Sequence, residues 1–272
     1  MFDIRELCED NIWDVASFCM RQPEEEVAYV EGDKERYFEA WRRKQKFLSR
    51  KLKDGASAQI AYKAGHPIGF IEYYPIESSN LELVDRDIMV IWCINVKYQE
   101  RGRKVGERLL QACLLDAMQK NRKGVAVTCW DPVWMPSAFF KKYGFVEVGK
   151  AVGNGVVLFK QFDEVEIPRW IGRGGSYDEV NQVEGKIVID LFHTNRCPIH
   201  WRNTALLKDI AADFGKNVII NEVNVDNREN MLKHKIAYSI YLNGKVLAAG
   251  PQAKVNVLRK RIQTELEKLN RI

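Results

Sequence analysis

Two stretches and one side chain hold the residue types that chemistry needs. In "VIWCINVKYQERGRKVGERLL", residues 90–110, an apolar run leads into a charged loop with two glycines and then into an amphipathic pattern. A helix start carries unpaired N–H groups and partial positive charge, so it attracts phosphate. Gly102 and Gly106 let backbone approach a ligand closely, and Arg101, Arg103 and Lys104 add charge. A plain strand–turn–helix with a basic surface has the same pattern, because short glycine-rich matches are weakly specific. In "NRCPIHW", Cys197 opens a helix, Pro198 takes its first position, and His200 follows one turn on. That setting lowers a thiol pKa and makes a nucleophile, unless the cysteine is inert and structural. Glu72 lies between Phe70 and Tyr74 in an apolar strand. Burial there raises a carboxyl pKa and suits a general base. A glutamate facing solvent, or one paired with a lysine, is the alternative.

The elements that must position these groups follow from periodicity and punctuation. "FDIREL" reads as a strand and "EDNIWDVASFCMR" as a helix. Residues 33–53 form a longer helix whose apolar stripe includes Tyr37, Trp41, Leu48 and Leu52; its many Lys and Arg read as a solvated face. "SAQIAYKAGHPIGFIEYYPIE" is a strand, a turn at His66 and a second strand. A strand over 88–96, a helix over 103–121, the strand "GVAVTCW" and a short helix after Pro136 come next. A hairpin with Asn154-Gly155 at its turn closes this half. Residues 163–184 lack periodicity and read as a linker, "GRGG" included, since no apolar strand precedes it. Residues 185–272 then repeat neither pattern nor sequence: the order is βαβαββα, with Asn243-Gly244 as a hairpin turn and Val255, Leu258, Ile262, Leu266 and Leu269 along the last helix.

Composition limits the partners. The 272 residues carry 42 basic and 37 acidic side chains, a net +5 that is too mild to imply nucleic acid but suits an anionic small ligand at a local site. No apolar stretch is long enough to span a bilayer, and the charged N-terminus does not read as a signal peptide. The six cysteines lack C-x-x-C spacing, which fits a reducing cytoplasm. Cys197, His200 and His193 are too few and too irregular for a structural zinc site, so no metal is expected. The acidic run over 23–33 reads as solvated surface, although it can also attract a cationic amine.

The segment "VIWCINVKYQERGRKVGERLLQACL" resembles the acetyl-CoA-binding segment of the GNAT-superfamily N-acetyltransferases, a strand, then [Q/R]-x-x-G-x-[G/A], then a helix. The resemblance covers about residues 1–162 and includes "FFKKYGFVEVG". It implies a mixed-sheet α+β fold and acetyl-CoA as co-substrate. The pyrophosphate would lie on the N–H groups of Arg101, Gly102, Arg103, Lys104, Val105 and Gly106. The pantetheine arm would lie along Ile94 and Val96 on a strand splayed from its neighbour, with a backbone N–H of that strand polarising the acetyl oxygen. Glu72 is the candidate base toward an unidentified amine. Three positions depart from the pattern: Lys104 replaces a small residue, Phe140 stands where a proton-donating tyrosine is common, and Val133 where an asparagine contacts CoA. Tyr143, Tyr98 and Cys93 are the substitute acids. Substrate-cleft loops are expected near 20–35 and 75–87.

The Cys-Pro dipeptide at a strand–helix junction, within βαβαββα, is similar to thioredoxin-like domains. His200 takes the place of their second cysteine, and no proline stands near 236–237. The fold class is therefore α/β, a GNAT mixed sheet over 1–162, a linker over 163–184 and a smaller thioredoxin-like α/β domain over 185–272, an arrangement that resembles YoaP-like proteins. Acetyl transfer to an amine is the function this implies. An acyl-CoA-binding, thiol-dependent sensor using Cys197 is the other reading.

Overall fold

The computed structural model describes residues 1–19, 34–131, 134–173, 177, 183–249 and 256–269. The acidic run over 23–33, Val133, Val255 and two glycines of "GRGG" lie outside the described residues. The first half of the chain runs β1 (Asp3–Glu6), α1 (Ile12–Ala16), α2 (Lys34–Lys53), β2 (Ser57–Lys63), β3 (His66–Pro75), β4 (Leu83–Val84) and β5 (Ile88–Val96). It continues with α3 (Val105–Gln119), β6 (Gly124–Trp130), α4 (Ser137–Lys141), β7 (Val146–Lys150), β8 (Gly155–Gln161) and β9 (Arg169–Trp170). The second half runs β10 (Ile187–His193), α5 (Pro198–Ala212), β11 (Val218–Asn224), α6 (Arg228–His234), β12 (Ser239–Leu242), β13 (Lys245–Ala249) and α7 (Asn256–Leu269).

Seven strands form one sheet in the order β1-β2-β3-β5-β6-β8-β7. Its inner strands are buried on both faces, which is why β2, β3 and β6 read as continuous apolar runs rather than alternating ones. One face packs against α3 through residues such as Leu109, Leu110 and Cys113. The other packs against α1 and α2 through Val15, Trp41, Phe47 and Leu48. Gly69 in β3 sets how closely α3 lies: a Cβ there would meet the Asn95 carbonyl oxygen at 3.0 Å and Val105 and Leu109 at 3.2 Å.

Helix α1 is shorter than the periodicity suggests, because the Ser17 hydroxyl bonds back to the Trp13 carbonyl at 2.6 Å and the chain turns there. The β7–β8 turn also differs from the Asn154-Gly155 expectation. Gly153, at φ +68°, makes the turn. Gly155 starts β8 and has no Cβ because the Trp130 indole nitrogen would lie 2.7 Å from it.

The second sheet has the order β11-β10-β12-β13, with β10 and β11 parallel and the other pairs antiparallel. Asn243 and Gly244, at φ +47° and +75°, form its two-residue turn. This unit does not hang on a linker alone. The loop between β3 and β4 seats it: Asn80 donates to the Val225 carbonyl (2.8 Å), Arg228 donates to the Ser79 carbonyl (2.9 Å), and Ala237 N–H donates to Glu82 (2.8 Å). Helix α2 packs on α5, with Arg36 and Asp209 paired at 2.6 Å. No helix among the described residues is long and apolar enough to cross a membrane.

Candidate active site

Strands β5 and β6 are the parallel pair of the seven-stranded sheet, and their ladder is short. It joins residues 88–91 to 124–127 and stops. Beyond it the strands part, and the cause is local. Glu72 faces Cys93 while Tyr73 faces Ile91, so Trp92 is the extra residue of a β-bulge. A bulge bends its strand and increases the local twist. Residues 93–96, Ile94 and Val96 included, stay on the β3 ladder and leave an open edge toward β6.

That edge runs into the loop before α3. Gly102 lies at φ +75° and Lys104 at φ +61°, ψ 14°. The left-handed conformation at 104 explains why a small residue is favoured at this position, and the lysine holds it at a cost of about 1–2 kcal/mol. Lys104 is the N-cap of α3 and makes no side-chain capping bond, so the first-turn N–H groups of Val105 and Gly106 face outward. Arg101, Gly102, Arg103 and Lys104 are all exposed. Arg101 donates to the Val96 carbonyl at 3.2 Å, and Arg103 lies 3.5 Å from Glu100. Phe139 packs toward Gly106. Phe140 is fully buried between Phe139 and Phe145, so the ring at the tyrosine position belongs to the core. Tyr98 is exposed and Tyr143 half-buried.

Glu72 departs from the expectation of a lone base. It is fully buried, its carboxylate pairs with Lys44 at 2.8 Å, and it accepts a short hydrogen bond from Tyr74. Burial, the largest single influence, would lower the Lys44 pKa, but Glu72 together with the neighbouring Cys19 and Cys93 outweighs it and holds that pKa above the ordinary lysine value. The expected solvated face of α2 thus includes two inward lysines, Lys44 and Lys51. Cys93 and Cys19 adjoin the pair, and burial pushes both thiols up, Cys19 to about 11.

Cys197 also departs from the sequence reading. It caps α5 ahead of Pro198, and the N–H groups of Ile199 and His200 favour its thiolate. Desolvation against the first sheet is larger and raises its pKa above the ordinary thiol value. His200 does not assist: its ring is buried, stacked on Tyr238 at 3.9 Å, and desolvation holds its pKa near 3. Limiting iodoacetamide at neutral pH is therefore expected to label exposed Cys8 ahead of Cys197, read by peptide mass spectrometry. Preferential labelling of Cys197 would restore the thiolate reading.

A cleft opens where the two halves of the chain meet. Trp92, Trp130 and Trp134 line it from the first half, and His200 and Tyr238 from the second. Trp130 ends β6, and Trp134 pairs back onto it through two backbone bonds of 3.0 and 2.8 Å. Among the described residues Glu82 is the one acidic lining residue. Burial raises its pKa above the ordinary glutamate value, against the Ala237 N–H that favours the carboxylate. Arg196 reaches across from the second unit. It is 1% exposed, lies 3.0 Å over the Trp92 ring and donates to Asn80 at 2.6 Å, and burial pulls its pKa to about 10. Of the expected cleft loops, Leu81 and Glu82 belong to 75–87, whereas 20–33 lies outside the described residues.

Residues 20–145 match the acetyltransferase (GNAT) family, and this part of the chain is a GNAT acetyltransferase domain. Over that segment the protein is an acetyltransferase of a family that uses acetyl-CoA as co-substrate. Similar solved structures include a GNAT-family acetyltransferase from Staphylococcus aureus Mu50, at 14% identity and a TM-score of 0.46, covering 60% of this chain and 100% of its own. PaiA N-acetyltransferase from Thermoplasma acidophilum, solved with coenzyme A, has 16% identity and a TM-score of 0.44, covering 60% and 99%. A GNAT-family acetyltransferase from Brucella melitensis, solved with acetyl-CoA, has 12% identity and a TM-score of 0.42, covering 61% and 92%. No curated protein matches the chain.

Proposed function

We propose that the protein transfers the acetyl group of acetyl-CoA to the nitrogen of an amine. The observation that carries this reading is the open edge of β5 past Ile91, running directly into the outward N–H groups at the start of α3. Arg101, Gly102, Arg103, Lys104, Val105 and Gly106 hold the pyrophosphate, and Ile94 and Val96 line the pantetheine arm. An incoming strand-like arm finds unpaired backbone there, and the helix start favours the phosphate charge. The amine attacks the thioester carbonyl, the carbon–sulfur bond breaks, and CoA leaves as the thiolate. A backbone N–H of β5 stabilises the oxyanion.

The proton on the attacking nitrogen goes to Glu82 or to water beside it. Glu82 faces the cleft with a raised pKa, whereas Glu72 is committed to Lys44. Glu72 is better placed as the buried counter-ion of Lys44, on the residue of β3 that pairs with Cys93 beside the bulge. The βαβαββα order of residues 187–269 supports a thioredoxin-like unit that docks rather than exchanges thiols. The protonated state of Cys197 weakens the sensor reading. The six free cysteines support a reducing compartment such as the cytoplasm.

Acetyl-CoA is expected to raise the melting temperature of the protein. Gly106→Asp, which sets bulk and negative charge at the helix start, abolishes that shift. An equal shift in the variant places the ligand elsewhere.

A further inference from the structure

The cleft between the two sheets has features that acetyl transfer alone does not require. Four of the seven tryptophans line it, Trp92, Trp130, Trp134 and Trp170. Its mouth lies at the chemistry, because Trp92 is the bulge where β5 leaves β6 and Trp130 is the last residue of β6. The second unit forms the facing wall.

One group on that wall is unexplained. His200 is 1% exposed, and neither of its ring nitrogens has a hydrogen-bond partner among the described residues. Buried polar atoms are nearly always paired, and leaving them unmade is costly. Its desolvated ring is neutral at physiological pH, so it offers one donor and one acceptor. The ring is fixed flat on Tyr238 and edge-on to Trp92 at 6.2 Å. It is a preset hydrogen-bonding site in an aromatic wall. The charges narrow the ligand further. Among the described residues Arg173 and Arg196 line the cleft against the single carboxylate of Glu82, a balance that disfavours an aliphatic polycation.

Resting on the acetyltransferase reading, we propose that this cleft is the acceptor pocket and takes a primary amine on a short alkyl chain attached to an aromatic ring, with a hydroxyl-type ring substituent bound by His200. The second unit is thus part of the substrate site, and His200 is a specificity-determining residue. The ring lies among the tryptophans, and the amine points to the open edge of β5.

Tyramine, phenethylamine and spermidine separate the alternatives. Two readouts are needed, CoA release with acetyl-CoA, and quenching of tryptophan fluorescence by the amine alone. The expected order of KM is tyramine below phenethylamine, with spermidine far above both. His200→Phe keeps the stack on Tyr238 and removes both nitrogens. It should raise the tyramine KM about tenfold with kcat within twofold, and erase the preference over phenethylamine. Trp134→Leu, on the opposite wall, is the second variant and should raise KM for both ring amines. A lower KM for spermidine, or a tyramine KM unmoved in His200→Phe, overturns the pocket assignment while leaving acetyl transfer intact. If tyramine quenches saturably, and about tenfold more weakly in His200→Phe, yet no amine releases CoA, the pocket stands and acetyl transfer fails. Absence of saturable quenching by tyramine overturns the pocket.

Discussion

Replacing Glu82 by glutamine is expected to lower kcat/KM by about 10²–10⁴-fold, the usual contribution of a well-placed general base. Glutamine keeps an oxygen to accept from the Ala237 N–H, so the seat of the second unit survives. The pH profile makes the test specific. A base works only when ionised, and desolvation places the Glu82 pKa above the ordinary glutamate value. Activity of the native protein should therefore rise with pH through a limb displaced upward from that value, and Glu82→Gln should abolish the limb. Glu72→Gln is the control, expected to lower stability and keep the limb. A profile in which Glu72→Gln removes the limb and Glu82→Gln does not would return the base role to Glu72.

Lys44→Met is expected to have the largest effect on stability. Lys44 is 2% and Glu72 0% exposed, so the variant leaves a carboxylate buried without its counter-ion. Breaking such a pair from one side costs about 3–5 kcal/mol, a large part of a typical 5–15 kcal/mol total. Removing both charges, as Lys44→Met with Glu72→Leu, should recover most of the loss, because apolar replacement of a buried pair is often neutral. Urea unfolding of the two single variants and the double variant measures it. The pH sign follows from the folded Lys44 pKa lying above its ordinary value. The pair's contribution is complete below the ordinary lysine pKa and fades only as pH rises through the higher folded one. An unchanged midpoint in Lys44→Met would show that the pair contributes nothing.

The elements around the cofactor loop were readable because each signal is local. The apolar run over 88–96, the glycines at 102 and 106 and the amphipathic stretch after them lie within one window, and β5 and α3 follow them closely. Cys197 shows how a local signal can be correct and insufficient. Its helix N-terminus and Pro198 are where the sequence puts them, yet the thiol is governed by desolvation from another part of the chain. Glu72 is similar: Lys44 is one of many cations in its helix, and nothing in the spacing singles it out as the one that reaches Glu72. The cleft itself was not legible, since its walls come from residues as far apart as Leu81 and Tyr241. The only trace is the pair of tryptophans at 130 and 134, at and just past the end of the "GVAVTCW" strand.

The seat between β3 and β4 has a consequence for anyone who would divide this protein. Cutting the chain near residues 163–184 would not release two modules. The severed first half would present Trp92 and the Asn80 side chain to water, and the second would carry Arg196 with neither to rest on. Each fragment would expose a raw face shaped for the other, and would be prone to re-pair or aggregate. In inheritance, too, the two parts are bound together: a substitution in the short loop around Asn80 is felt by strands that begin more than a hundred residues later.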